Sequence, residues 1–229
     1  MKAIRKSNER GQADYGWLKA NYTFSFASYF NPAWMGYRSL RVINDDFIDP
    51  KMGFDTHSHR DMEIISFILE GAMEHKDTIG SHTQIVSGEI QIMSAGTGIM
   101  HSEFNPSDTV TTHSLQIWIE PNQKNVAPRY DQYKYNKKEN ALTSLITPQG
   151  GDNIAKIHAD MSLSLGAYSK GEYEVELDSS KYYWIQVVKG SGNLDDLSSE
   201  YGDGIQIENE SLLKLSVKEN FEFLLFELS

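Results

Sequence analysis

The chain has 229 residues, 39% of them hydrophobic, a formal net charge of −11 and no cysteine. That apolar content supports one large core or two small ones and excludes wholesale disorder. The balance of 21 basic against 32 acidic residues, without a Lys/Arg-rich run, excludes direct nucleic-acid binding. The missing cysteines remove disulfides, thiolate ligands and a cysteine nucleophile together.

No apolar core follows the basic residues at the N-terminus, and no apolar run reaches the roughly 18 residues a membrane span requires. Neither a signal peptide nor a spanning helix is expected, which leaves the cytoplasm as the default location. Residues 1–20 are polar, with Gly11 and Gly16 as breakers, and read as an extended lead-in. Aromatics then crowd between Tyr22 and Tyr37, and Phe24 and Phe26 alternate with small residues as on a strand. Their main expected use is packing in the core and between domains; some could wall a pocket for a flat ligand. Leu40 to Ile43 reads as a short strand and Asn44-Asp45-Asp46 as a turn.

The stretch from Gly53 to Glu103 carries the chemistry. It holds His57-Ser-His59 after Gly53, with Glu63 four residues on, and Gly98-Ile-Met-His101-Ser-Glu103. Each phrase places two potential ligands two residues apart, and on a strand such a pair shares one face of the sheet. Three imidazoles and a carboxylate converging inside one barrel would suit a divalent transition metal. Buried without a counter-charge, that carboxylate would be costly, and a bound dication would cancel it. Spacing alone admits either Glu103 or Glu63 as the acidic ligand. Between the phrases, Ile64–Leu69 is a β-branched run that fits a buried strand, and Glu89–Met93 alternates cleanly. Ser94 to Gly98 reads as a turn that reverses the chain; with no lysine or helix after it, a phosphate loop is rejected. His75 and His113 lie on expected strands, either as structural histidines or as groups that orient the ligands. His82 sits near a turn, exposed.

Residues 123–140 read as a linker between a metal-binding barrel (1–122) and a second barrel (141–229). Without amphipathic helical patterns the chain is all-β, two barrels or jelly-rolls rather than βαβ units. The second half repeats the frame but not the ligands. Matching its turns to those of the first half brings Glu176, Asp178, Ser216 and Lys218 to the ligand positions, and a lysine there repels a cation. His158, the second half's sole histidine, falls outside the frame.

The phrases His57-Ser-His59, Leu69-Glu-Gly71, Met93-Ser-Ala-Gly96 and Gly98-Ile-Met-His101-Ser-Glu103 resemble those of the pirin family. Thr23-Phe-Ser-Phe26 and Gln116-Ile-Trp-Ile119 add to the likeness, which is strongest with bacterial pirin-like quercetin 2,3-dioxygenases. The resemblance implies two cupin (jelly-roll-like) barrels in tandem, of the RmlC-like kind, with one metal ion in the first. It implies His57, His59, His101 and Glu103 as ligands, leaving Glu63 outside the set. Iron(II) leads the implied metals, ahead of zinc, nickel, copper, manganese and cobalt. The implied activity is flavonol cleavage by dioxygen, with the substrate 3-hydroxyl on the metal and Glu103 as base. The alternative is a redox- or metal-sensing regulator that acts through a protein partner.

Overall fold

The computed structural model describes residues 2–229. It is all-β as expected; among the described residues the sole helical turn is a 3-10 segment, Ser7–Glu9. Two barrels follow one another, each built from a seven-stranded and a four-stranded sheet. In the first, the strands Leu40–Ile48, Thr112–Ile119, Glu63–Glu70 and Glu89–Ser94 are consecutive neighbours in the larger sheet. The smaller sheet runs Gly53–His59, Ile99–Phe104, Ala72–Asp77, His82–Val86.

The unbroken apolar run Ile64–Leu69 follows from burial on both faces of the larger sheet. Ile65 and Phe67 belong to a core shared with Leu163, Leu165, Trp184 and Phe226 of the second barrel. Ile64 and Ile68 point the other way, into their own barrel. The large sheets thus pack back to back, and Trp184, fully buried, meets Phe24, Trp34 and Tyr37 at ring-centroid distances of 4.9, 6.1 and 6.0 Å.

Two expectations need correction. Asn44-Asp45-Asp46 is no turn; it lies inside the nine-residue strand Leu40–Ile48. Its polarity serves both faces: Asp45 accepts hydrogen bonds from Arg10 Nη1 at 3.0 Å and Tyr201 Oη at 2.7 Å at the barrel boundary, and Asp46 faces the first barrel's interior. Strand pairing also crosses the expected division at 1–122, 123–140 and 141–229. Lys2–Arg5 pairs with Gly204–Glu208 in the second barrel, and Arg129–Lys134, expected in the linker, pairs with Glu89–Ser94 of the first. The second barrel therefore takes an edge strand from the first barrel's sequence territory and the first takes one from the linker, covering edges that would otherwise be unpaired. Finally, the second barrel's inward positions are Val175, Leu213, Leu215 and Val217, one residue out of step with the expected frame. Glu176, Asp178 and Lys218 are exposed, and Ser216 Oγ donates to Glu172 on the outside.

Trp184→Ala is expected to cost about 3–5 kcal/mol, because it empties the shared core. Denaturant unfolding monitored from both barrels should show a single transition moved to lower midpoint.

Candidate metal centre

Alternation within two paired strands builds the centre. His57 and His59 are half-buried with Ser58 exposed between them, and His101 and Glu103 are buried with Ser102 between them. Antiparallel register sets His101 directly opposite His57 and Ile99 opposite His59. A register shift between His101 and Glu103 then brings Glu103 opposite Phe54, so the carboxylate is displaced from the imidazoles by an irregular step. Gly53 is required where the strands cross closely: a Cβ there would strike the Glu103 carbonyl oxygen. The turn expected before His101 is present, closed by the Gly98 N–H donating to Ala95 O at 2.9 Å.

One ring nitrogen from each of His57, His59 and His101 lies within 4.8 Å of the other two. His101, His75 and Glu103 form a second group of the same tightness that shares His101. The hydrogen bonds sort the nitrogens. His57 donates Nδ1–H to Asp55 O at 2.8 Å, which leaves Nε2 as its lone-pair atom. His75 donates Nε2–H to Asp77 Oδ2 at 3.1 Å and accepts from His101 Nδ1 at 3.4 Å. His101 Nε2 then remains, buried and without a partner. A buried imidazole nitrogen with a free lone pair, beside two more imidazoles and a carboxylate, fits a transition-metal ion.

Glu103 is fixed by two donors, Ser66 Oγ at 3.1 Å to Oε1 and Gln116 Nε2 at 2.7 Å to Oε2. Glu63 faces elsewhere. Its strand begins after a break at Arg60 to Met62, and its carboxylate accepts from Ser94 Oγ and from the His158 N–H. His158, outside the expected frame, thereby ties the second barrel to the first. His75 lies on the centre's side of the sheet and holds the His101 ring through their hydrogen bond. His113 does not: its Nε2 hydrogen-bonds Asp45 at 2.7 Å on the opposite face of the sheet.

A cavity of about 280 Å³ opens beside His57, His59 and Glu103. Its walls are Tyr15, Trp17, Tyr22, Phe26, Phe54 and Trp118. Of the crowded aromatics only Tyr22 and Phe26 reach it; Phe24, Trp34 and Tyr37 pack between barrels, and Phe30 is exposed. Tyr15 and Trp17 come from the polar lead-in, where no periodicity marked them. Asp46 was likewise missed, and it lines the cavity as a buried carboxyl. Burial, with Asp45 and Glu103 nearby, pushes it well above the ordinary carboxylate range.

Burial and the neighbouring His101 and His57 push His59 down to about 4, and burial with His57 and His75 pushes His101 down to about 3. Both rings are neutral at pH 7, as metal ligation requires. Unfolded, each would titrate near the ordinary 6.5, so below that pH the unfolded chain binds more protons. Metal-free protein should therefore be most stable above pH 6.5 and lose melting temperature as the pH falls toward 4. A His59→Gln/His101→Gln variant should show a flatter decline in thermal melts over the same range.

The first half, residues 3–119, matches the family model described as Pirin, and residues 144–228 match that of the quercetinase C-terminal cupin domain. Over 226 residues, covering 98% of this chain and 97% of the relative, it is 44% identical to a quercetin 2,3-dioxygenase of Escherichia coli O157:H7. A pirin-like protein of Caulobacter vibrioides is 35% identical over 223 residues, 95% of each chain. The crystal structure of the bacterial pirin YhhW from Escherichia coli in complex with nickel(II) superposes with a TM-score of 0.94. It is 43% identical, with 100% of this chain and 99% of that one covered. With its first barrel matched almost end to end and relatives aligned over its full length, this chain belongs to the pirin family.

Proposed function

We propose that the chain is a metal-dependent dioxygenase that cleaves flavonols such as quercetin, with His57, His59, His101 and Glu103 holding one divalent transition metal ion. The observation that carries this reading is the unpartnered His101 Nε2, grouped with His57 and His59 and beside a cavity walled by aromatic rings. The relatives named quercetin 2,3-dioxygenase and the nickel-bound neighbour support it. Iron(II) is the metal we favour: an octahedral ion keeps positions open beyond four protein ligands, whereas a tetrahedral zinc ion would be closed.

When bound, the ion supplies Lewis acidity that favours the ionised form of a substrate hydroxyl placed on it. The residues of the chain do the rest. His59 and His101 stay neutral at pH 7, and Asp55 O orients His57 while the His75–Asp77 pair orients His101. Glu103, held by Ser66 and Gln116, takes the proton of the flavonol 3-hydroxyl. Trp118, Phe26 and Phe54 flank the flat rings and keep water away from the ionised substrate. Dioxygen then enters the central ring, which opens with loss of carbon monoxide.

The test is to incubate metal-loaded protein with quercetin in air and to follow the flavonol absorbance. Turnover should vanish in His57→Ala and fall by about 10²–10⁴ in Glu103→Gln. Absence of turnover with iron, nickel, manganese, cobalt, copper or zinc would contradict the enzyme and leave a regulator acting through a protein partner. Asp77→Asn, which weakens the hold on His75, should lower metal affinity by about 10- to 100-fold in chelator competition. Unchanged affinity would remove Asp77 from the support of the centre.

A further inference from the structure

Across the cavity from the imidazoles, the inner face of the larger sheet carries polar atoms that the mechanism does not use. Asn44 and Asp46 alternate with Asp45 on the strand Leu40–Ile48, and Gln116 stands directly opposite Asn44 on Thr112–Ile119. All three line the cavity. Asn44 and Asp46 are each 4% exposed, and Asn44 Oδ1, Asp46 Oδ1 and Gln116 Oε1 are buried without a hydrogen-bond partner. The orientation of Gln116 is not free: its amide nitrogen donates to Glu103, so the unpartnered atom is an acceptor. Leaving three such oxygens unmet beside an aromatic-walled cavity is costly unless something that enters the cavity supplies the donors.

From this row of oxygens we infer that Asp46, Asn44 and Gln116 form a hydroxyl-reading edge, which selects flat aromatic ligands bearing several free hydroxyl groups over ligands in which those groups are absent or methylated. The inference rests on the cavity being the substrate site. Residues alternating on one strand stand about 7 Å apart and cross-strand partners about 5 Å apart. Such spacing spreads the three acceptors over the width of an aromatic ring instead of focusing them on one atom. A methyl ether offers no proton to any of them. Asp46 is the specificity-determining member, since it lies farther along the strand from Glu103's partner Gln116 and holds no other side chain in place.

The experiment measures binding and turnover separately. Iron-loaded protein under anaerobic conditions is titrated with quercetin, with its tetramethyl ether that keeps only the 3-hydroxyl, and with unsubstituted 3-hydroxyflavone, following tryptophan quenching. The native chain should bind quercetin at least about tenfold more tightly than the other two. Asp46→Leu and, independently, Asn44→Leu should weaken quercetin alone and bring the ratio below about threefold. Equal binding of the three ligands by the native chain, or a ratio unchanged in both variants, would overturn the inference. Because the ligand series already tests it on the native chain, a variant that fails to fold does not shield it. Selectivity without turnover in air under any of the six metals named above would refute the dioxygenase reading and uphold the hydroxyl-reading edge; turnover without selectivity would do the reverse.

Discussion

The pairing of Ile99–Phe104 with Gly53–His59, which sets His101 opposite His57, is the constraint on which the rest of the centre depends. Strand alternation then delivers His59 to the same interior, and the register shift after His101 sets where Glu103 joins it. The tightness of that cluster is only tolerable because burial keeps His59 and His101 neutral: three imidazolium ions within 4.8 Å would repel strongly. The same desolvation that makes the rings poor bases leaves their lone pairs available. Asp77 acts one step back, fixing His75 and through it the nitrogen that His101 presents.

The larger sheet of the first barrel connects this centre to the second barrel. Every strand near its middle is buried on both faces, so each residue answers either to the cavity or to the shared core. Asp45 and Asp46 show the division most sharply. Burial opposes ionisation of Asp45, yet the hydrogen bond from His113 and the charge of Arg10 outweigh it and hold Asp45 below the usual carboxylate range. Asp46, one residue on, has no cation beside it and is pushed the other way. The second barrel packs Leu213, Leu215 and Val217 into its own interior and meets the first through Trp184, Tyr201 and His158.

Much of this was legible in the sequence because it depends on period two. The alternation in His57-Ser-His59 and His101-Ser-Glu103 gave the facing of the site residues, and the glycine turn before His101 gave the reversal. What could not be read depends on tertiary pairing. Asn44-Asp45-Asp46 has the composition of a turn, and only a sheet buried on one side by Arg10 and Tyr201 and on the other by the cavity makes it a strand. Glu63 shares parity with His59 on paper, but the break at Arg60 to Met62 resets the face. Tyr15 and Trp17 reach the cavity from a polar stretch because the strands Gly11–Asp14 and Leu18–Tyr22 dock onto the large sheet, a long-range event with no local signal. The second barrel's frame slipped by one residue for the same reason, since counting from turns ignores differences in loop length.

The most direct test of the central claim is the X-ray absorption spectrum of the iron-loaded chain at the metal edge. The expected result is one ion per chain with scattering from three imidazole rings, oxygen ligands completing the shell, and one imidazole lost in His101→Gln. A site with fewer than three imidazoles, or one whose spectrum is unchanged in that variant, would contradict the assignment of His57, His59 and His101 as the groups that hold the metal.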